Sequence, residues 1–558
     1  MGGAMSAGLE IRNQLTSTES IERDSMNPIG FVPSAFTTDM PPTVVIGLDG
    51  GNWPLIGQWI SEGHLPNFER LVSEGASGVS RSYLPPVTCP NWKCYAAGKN
   101  PGKLGVYWWE RIDTDERSMT LPDSRDFASP ELWDYLNDAG LTAGVINLPM
   151  SYPPRSIDGI TVAGGPRSRE RGYTKPEELQ DKLERRFDYR VHPENVLTSN
   201  RNSGAEVELI HDLLRVRMRT AKAMLDERDL SFLHLTLFHL NVLQHYFWDG
   251  PETKRAWQII DEELEPFVEG EYDLVLMSDH GCTEIDTVFF VNEWLRQRGY
   301  LTMKRSLSSV LYDVGITQDR LAMLARTLRF EEFVRPFVPR AIIERFPSDE
   351  GVVREEKLNM VDWDSTVAVG SGQGLVYVVA DDKVERERIL SSLEADLRNE
   401  TSPDGRPIVE AVHRREDVYE GTYVDRAPDL IFEQRPGVHT SEAMGSDEAM
   451  RAPTDWRGEN VPDGMALFHG DSIESGGFDP IRISDIAPTI LHWMDLEVPK
   501  DMDGSVLTDV FEEGTPAASR SVRTRSPLPE RGDSASGGEP TEPSDEATER
   551  LENIGYLE

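Results

Sequence analysis

Two apolar runs far apart in the chain each end at acidic residues, and this pattern constrains the fold more than any other feature. Residues 43–48 (TVVIGL) end at Asp49, and the run at residues 273–277 (DLVLM) leads into Asp279 and His280. Continuous apolar runs of this length are typical of parallel strands that are buried on both faces. The carboxyl ends of such strands border the ligand-binding crevice of an open α/β sheet. The sequence therefore predicts two carboxylates and an imidazole at one edge of a sheet, although either acidic segment alone is more typical of a turn or a helix cap.

A hydroxyl group lies where a helix is predicted to begin. Thr88 follows the prolines at 85–86, which end the preceding structure, and it precedes NWKCYAAG, a predicted helix that ends at Gly98. The free N–H groups and the dipole at a helix N-terminus favour a phosphate. An isolated threonine at such a position is usually only an N-cap. A dication held by the three strand-end residues lowers the pKa of the hydroxyl, however, so the segments together predict metal-assisted phosphoryl chemistry.

Five stretches occur in order along residues 42–513 and carry a family resemblance. They are VVIGLDGGNWPLI with LPNFERLVSEGASG, SYLPPVTCPNWKCYAAGKNPGKLGV, LWDYLNDAGLTAGVINLPMSYPP, LVLMSDHG, and APDLIF with ISDIAPTILHWMDLEVPKDMDG. The chain resembles the type I phosphodiesterase/nucleotide pyrophosphatase family of the alkaline phosphatase superfamily. The resemblance implies an α/β, doubly wound, mostly parallel central sheet flanked by helices, with cap or insertion segments. It also implies a divalent metal, zinc or manganese, at a first site formed by Asp49, Thr88, Asp279 and His280.

The second metal site of the family is altered in this chain. Relatives have Asp-x-x-x-His and, later, another histidine, whereas our alignment places Asn241 with His245 on the first motif and Asn460 on the second. An asparagine oxygen binds a hard cation such as Ca²⁺ or Mg²⁺ but is a poor zinc ligand. The second ion is therefore expected to be absent, weakly bound or a harder metal. Four further histidines are candidate substitutes: His234, His239, His439 and His469.

The mechanism that the resemblance implies is an in-line attack by Thr88 on phosphorus, which gives a covalent phosphothreonine that water then resolves. Where the second cation is missing, Asn91, Lys99, Lys103 and Arg111 are candidates for contacting the phosphoryl group, and each is also typical of a surface or capping position. The predicted function is a metal-dependent phosphodiesterase or phosphohydrolase. Its partner is a phosphate-ester small molecule, a nucleotide, or a lipid or glycan head group.

Two other functions fit the same residues. A transferase that moves a phospho-head-group onto a glycan or lipid would use the same Thr88 intermediate, and a non-catalytic relative would bind a phosphorylated ligand. A formylglycine sulfatase is not expected, because Cys89 begins Cys-Pro-Asn-Trp-Lys and not Cys-x-Pro-x-Arg or Cys-x-Ala-x-Arg. Cys89, Cys94 and Cys282 are instead predicted to pack as small apolar residues.

The charge of the chain indicates the environment in which the protein works. The formal net charge is −40, and only 11 of the 57 basic residues are lysines. Acidic, lysine-poor surfaces suit concentrated salt, where repulsion between like charges is screened, so we expect a halophilic source. The same charge opposes binding to a nucleic-acid polymer. With three cysteines and no apolar run long enough to span a bilayer, the sequence predicts a cytoplasmic protein without a transmembrane segment.

The domain organisation predicted from the pattern is one large catalytic unit. Residues 1–41 are expected to be a disordered leader, and residues 42–513 the catalytic domain with insertions at about 171–230 and 300–410. An amphipathic stretch at residues 320–346 is predicted to pack beside the active site. Residues 514–558 form a low-complexity tail that is predicted to be disordered apart from a short terminal helix.

Overall fold

The protein is described from a computed structural model, which describes residues 40–193, 204–304, 360–444, 448–454 and 456–531. Three predictions lie outside these residues: the disordered leader up to residue 39, the amphipathic stretch at 320–346 and the terminal helix. The domain boundaries drawn from the sequence stay predictions. Among the described helices, none combines the length and the apolar character that crossing a membrane requires.

The strands are short and most of those in the largest sheet are buried. In chain order they are β1 (Thr43–Gly47), β2 (Ala76–Arg81), β3 (Arg111–Asp113), β4 (Ser118–Thr120), β5 (Ala143–Ile146), β6 (Gly159–Val162), β7 (Thr174–Lys175), β8 (Phe232–Thr236), β9 (Asp273–Met277), β10 (Gly281–Glu284), β11 (Thr287–Phe290), β12 (Ala368–Ser371), β13 (Leu375–Val378), β14 (Val409–Arg414), β15 (Leu430–Gln434), β16 (Val438–Ser441), β17 (Met450–Arg451), β18 (Gly458–Val461), β19 (Asp463–His469), β20 (Gly476–Gly477), β21 (Ile481–Arg482), β22 (Val498–Pro499) and β23 (Thr524–Arg525).

The described helices surround these strands. They are α1 (Trp53–Ser61), α2 (Pro66–Glu74), α3 (Thr88–Ala97), α4 (Pro101–Leu104), α5 (Leu132–Asp138), α6 (Glu178–Phe187), α7 (Gly204–Glu227), α8 (His239–Phe247), α9 (Pro251–Val268), α10 (Val291–Gln297), α11 (Lys383–Arg398), α12 (Arg415–Val418), α13 (Ile486–Trp493) and α14 (Pro516–Ser519). Helices α2, α7 and α8 pack on α9, and α7 also contacts β8. Helix α13 packs against α3 and α5.

The largest sheet has the strand order β20-β2-β19-β9-β1-β8-β5-β6-β7, with β21 beside β2. Its centre, from β9 through β1, β8 and β5 to β6, is parallel throughout. Strand β19 runs antiparallel to both of its neighbours, and β7 runs antiparallel to β6. The two apolar runs that precede Asp49 and Asp279 are β1 and β9, which are adjacent at the middle of the sheet. The predicted α/β fold with a mostly parallel central sheet is therefore confirmed.

A second, smaller core forms around the sheet β12-β13-β15-β14. Phe289, Trp294, Leu393 and Phe432 are among its buried residues, and α10 and α11 pack against the strands. The segment predicted as an insertion at about 300–410 supplies β12, β13 and α11 to this core. Burial of amphipathic α11 on one face explains why its exposed face carries so many charges.

The prediction of disorder is wrong for residues 514–531. Strand β23 pairs with β22, and Arg525 forms an ion pair with Asp138 at 2.7 Å. Arg531 reaches Glu131 at 3.0 Å, and Glu131 is almost completely buried. The composition of this segment is too polar to build an apolar core, but its arginines bind carboxylates already fixed in the domain. Charge-assisted hydrogen bonds thus supply the order that composition alone does not predict.

Candidate active site

The register of the central strands brings the two acidic segments to one place. Gly47 at the end of β1 lies opposite Met277 at the end of β9. Asp49 and Asp279 each follow two residues later, so their carboxylates reach the same level beyond the carboxyl edge of the sheet. In open α/β sheets, ligands bind in the crevice beyond the carboxyl ends of the strands.

Four side chains predicted for the first metal site lie together. Thr88 Oγ1 is 3.4 Å from Asp49 Oδ1 and 3.3 Å from His280 Nε2. The same His280 nitrogen is 3.1 Å from Asp279 Oδ2. All four side chains are fully buried. Thr88 is the first residue of α3 and Val87 is the N-cap, with no side-chain cap bond, so the interpretation of Thr88 as a capping residue is wrong.

The negative charges of this cluster are balanced by a proton or by a bound cation. His280 Nδ1 lies 2.9 Å from the carbonyl oxygen of Gly281, which only accepts, so Nδ1 carries a hydrogen and Nε2 faces the carboxylates. Burial lowers the pKa of His280, but the charges of Asp279 and Asp49 outweigh it and raise that pKa to about 9. Burial, and then the charge of Asp279, raise the pKa of Asp49 well above its usual range. A proton on His280 or a bound cation relieves the same repulsion.

The donor set fits a divalent metal. One ligand atom each from Asp49, Asp279 and His280 lie within 4.8 Å of one another. Asp279 Oδ1 accepts from the Gly50 N–H at 3.2 Å, while Oδ2 accepts no well-aligned hydrogen bond from any described residue. Two carboxylates, one imidazole and a nearby hydroxyl are donors that zinc and manganese both accept.

Trp92 contacts the metal-ligand cluster and was not predicted from the sequence. It lies one helical turn after Thr88 on α3, and its Nε1 donates to Asp49 Oδ2 at 3.0 Å. The ring passes over Gly47, where an added Cβ would lie 2.4 Å from it. The indole therefore fixes the carboxylate that lies beside Thr88. The four-residue spacing from Thr88 was the available signal, because residues i and i+4 share a helix face.

The candidate phosphate contacts are occupied elsewhere. The amide nitrogen of Asn91 donates to three backbone carbonyls of the loop before α3, including Pro85 and Val87 at 3.0 Å. Lys99 pairs with Asp501 at 2.5 Å, and Lys103 with Asp503 at the same distance. Arg111 bonds to Asp126 and to the carbonyl of Gly105. In this structure the four residues shape the loop or form ion pairs, and their contact with substrate stays a prediction.

The residues aligned with the second metal site do converge, but as a network of amides. Asn241 Nδ2 donates to Asn460 Oδ1 and to His245 Nε2, both at 3.0 Å. Gln244 Nε2 donates to Asn241 Oδ1 at 3.1 Å and to the carbonyl of Gly50 at 3.0 Å. Burial lowers the pKa of His245 to about 4, so the ring is neutral. In the described chain, no cluster of three acidic, histidine or cysteine ligands forms here.

The other histidines and the cysteines have structural surroundings. His234 bonds to Thr236, His239 to Arg217, His439 to Glu459 and His469 to Glu74. None of these four therefore belongs to a described group of metal ligands. Cys89, Cys94 and Cys282 are buried free thiols, and burial raises the pKa of each, as expected for residues that pack as small apolar side chains.

Gly50 separates the metal-ligand cluster from the amide network and has a φ of +69°. An added Cβ would lie 2.2 Å from Asn241 Oδ1 and 2.6 Å from Gln244 Nε2. We expect Gly50→Ala to lower the free energy of unfolding by about 1–3 kcal/mol, because it combines backbone strain with overpacking. Denaturant unfolding measures this change. Gly63→Ala is the matched control, since Gly63 also has positive φ but open space around its Cβ; an equal loss in both variants would contradict a steric role for the network.

A hydroxyl at a helix N-terminus beside a buried Asp-Asp-His cluster, at the carboxyl edge of a parallel sheet, defines a phosphoryl-transfer class of enzyme. The chain belongs to the type I phosphodiesterase/nucleotide pyrophosphatase family, whose sequence model matches residues 43–459. Membership in this enzyme family confirms the resemblance drawn from the motifs and the prediction that the protein is an enzyme. No curated protein sequence matches the chain.

Solved structures of the alkaline phosphatase superfamily share the fold. Phosphonoacetate hydrolase from Sinorhizobium meliloti 1021, in complex with phosphonoformate, is 15% identical, with a TM-score of 0.50, covering 80% of this chain and 94% of that chain. Wild-type alkaline phosphatase PafA is 14% identical, with a TM-score of 0.53, covering 85% of this chain and 99% of that chain. At such identities the likeness shows the fold alone, which is the predicted alkaline-phosphatase-like fold.

Proposed function

We propose that the protein is a metal-dependent phosphodiesterase that acts through a covalent phosphothreonine on Thr88. The observation that carries the proposal is the position of Thr88 Oγ1, between Asp49 and His280 and at the first residue of α3. A hydroxyl in this position faces metal ligands on one side and the positive end of the ten-residue helix on the other. Those are the two features that an attack on a phosphoryl group requires.

Asp49, Asp279 and His280 would hold one zinc or manganese ion. The bound ion lowers the pKa of a neighbouring hydroxyl and neutralises charge on a phosphoryl oxygen. The Gly50 N–H keeps Asp279 in place, and the indole of Trp92 does the same for Asp49. Because both carboxylates already accept hydrogen bonds from fixed donors, little reorganisation accompanies binding.

The covalent steps use Thr88 twice. In the first step the bond from Oγ1 to phosphorus forms while the bond from phosphorus to the leaving oxygen breaks, and the proton of the hydroxyl ends on the released alcohol. In the second step a water oxygen attacks the same phosphorus, and Thr88 leaves and regains a proton. The helix N-terminus, with its free N–H groups, favours the negative charge on the phosphoryl oxygens throughout.

The charge of the site favours a diester as substrate. One dication cancels the two carboxylates of Asp49 and Asp279, and the residues of the second site are neutral amides and a neutral imidazole. A phosphate diester carries one negative charge, whereas a monoester carries close to two at neutral pH. In a buried site the extra charge is costly when no second cation offsets it.

We therefore expect the protein to hydrolyse bis-(p-nitrophenyl) phosphate with a kcat/KM at least about tenfold above that for p-nitrophenyl phosphate. The assay uses purified protein in concentrated salt and compares Zn²⁺, Mn²⁺, Mg²⁺ and Ca²⁺. A preference for the monoester with every ion would contradict the charge argument. Added glycerol separates hydrolysis from transfer, because a head-group transferase would give a glycerol phosphoester as the main product.

A further inference from the structure

Two backbone carbonyls fix the direction of every amide in the network beside the active site. The carbonyl of Gly50 accepts from Gln244 Nε2 at 3.0 Å, and since a carbonyl cannot donate, this atom must be the nitrogen. The same nitrogen lies 3.1 Å from Asn241, so the Asn241 atom that faces it is the oxygen. Asn241 therefore directs its amide nitrogen to the opposite side.

The hydrogen bonds of His245, at the other end of the network, independently give the same orientation for the Asn241 amide. His245 Nδ1 lies 2.8 Å from the carbonyl of Gly458, so Nδ1 carries the hydrogen and Nε2 is an acceptor. Asn241 Nδ2 donates to that Nε2 at 3.0 Å and also to Asn460 Oδ1 at 3.0 Å. The Asn460 oxygen is thus used by Asn241, and its amide nitrogen is turned away from the network.

This direction removes the ligands that a second cation needs. The Asn241 oxygen, the His245 Nε2 lone pair and the Asn460 oxygen all accept amide hydrogens. A cation at this position would face their donor partners and would have to reverse the whole network. The second metal site of the family therefore does not fit these residues.

The network ends in an unused donor. Asn460 is 1% exposed, and its Nδ2 has no hydrogen-bond partner among the described residues. Leaving a buried donor without a hydrogen-bond acceptor is unfavourable, so such a group calls for a partner. Asn460 on β18 lies opposite Cys282 on β10, and β10 begins directly after His280, so Asn460 lies on the strand next to the metal-ligand cluster.

We propose that the amide N–H groups of Asn460 bind a non-bridging oxygen of the substrate's phosphoryl group. The inference rests on the proposed function and names a substrate-binding residue for it. A neutral donor, held by the relay from Gly50 through Gln244 and Asn241, then stands where relatives use a second cation. A fixed donor stabilises the negative charge on the phosphoryl oxygens most strongly in the transition state.

The sharpest test is Asn460→Asp, which keeps an oxygen acceptor for Asn241 and replaces the amide donor with a negatively charged oxygen. With one metal equivalent bound, we expect its affinity for inorganic phosphate and vanadate to fall at least about tenfold, and its kcat for the diester on the order of 10²-fold. Metal content and thermal unfolding should change little by comparison. Asn292→Asp is the control, because this asparagine is equally buried but donates to the carbonyls of Gly370 and Glu442. It should lose stability without losing phosphate affinity.

The double variant Asn241→Asp, Asn460→His tests whether the amide network is what prevents binding of a second metal. It supplies a carboxylate and an imidazole beside His245, so we expect zinc content measured by mass spectrometry to rise from one to two equivalents. Wild-type phosphate and vanadate affinity in Asn460→Asp would overturn the role of Asn460 and leave the proposed function intact. A wild-type protein that binds metal but shows no diester turnover would instead overturn the proposed function, and the inference with it.

Discussion

Thr88→Ala removes diester turnover, with kcat expected to fall on the order of 10⁴-fold or more, as is typical when the nucleophile of a covalent mechanism is deleted. The side chain is fully buried beside Asp49 and His280, and its hydroxyl is the described oxygen nucleophile within reach of both. The three metal ligands remain, so the variant should still bind one metal equivalent. Steady-state assays and metal analysis on the same preparation separate these two effects.

Thr88→Ser is the matched control, because it keeps the hydroxyl and removes only a methyl group. We expect it to retain activity within about tenfold of the wild type, since the oxygen stays at the first residue of α3. Acid quenching of the wild type during turnover of bis-(p-nitrophenyl) phosphate should leave a p-nitrophenyl phosphate group on Thr88, found by mass spectrometry of the peptide. Diester hydrolysis by Thr88→Ala at the wild-type rate would contradict the covalent mechanism.

The parts of the fold that could be predicted are those that local pattern determines. Continuous apolar sequence predicts buried strands at residues 43–48 and 273–277. The end of α3 is predicted by Gly98, which adopts the left-handed conformation. Convergence of Asp49 and Asp279 followed from strand direction alone. The register that sets them at the same level, with Gly47 opposite Met277, depends on pairing between distant segments and could not be read from either.

The contacts that prediction missed are set by tertiary packing. Lys99 and Lys103 are cations near the nucleophile in sequence, yet each is bound by a carboxylate some 400 residues later. Asn241 and Asn460 were identified as departures from a metal site, but the direction of their amides depends on two carbonyls and on Gln244. The same holds for the tail, where Arg531 bonds to the distant carboxylates of Glu131 and Asp134. Residue type therefore indicated the location of the site, and only packing decided what each polar atom binds.

Asp279→Asn should remove metal binding while leaving the fold intact. The asparagine oxygen can still accept from the Gly50 N–H, but the oxygen that now lacks a well-aligned hydrogen bond becomes an amide nitrogen, which cannot bind a metal. Loss of one of three buried ligands is expected to lower metal affinity more than 100-fold and diester kcat on the order of 10³-fold. Calorimetric titration with Zn²⁺ or Mn²⁺ measures the first change and the diester assay the second.

The same substitution should stabilise the metal-free protein. In the wild type the pKa of His280 is raised to about 9, mainly by Asp279 acting against burial, so its proton stabilises the fold below about pH 6.5 and this contribution is lost as the pH rises toward 9. Without Asp279 the repulsion on Asp49 is relieved, and the pKa of His280 falls. In chelator we therefore expect Asp279→Asn to unfold at a higher temperature than the wild type above about pH 9, where His280 has lost its proton, and with a weaker pH dependence.

The control is Asp273→Asn at the opposite end of β9. Burial raises the pKa of Asp273 to about 7, so this variant also removes a buried carboxylate from the same strand, but far along it from the metal ligands. Added metal should raise the unfolding temperature of the wild type and of Asp273→Asn alike, and should not raise that of Asp279→Asn. A metal-induced rise in Asp279→Asn equal to that of the wild type would mean that the cation binds elsewhere. Asp279→Asn is thus expected to lower activity and to raise the stability of the metal-free protein for one reason. The Asp279 carboxylate binds the metal, but when no metal is bound it is a buried charge that repels Asp49.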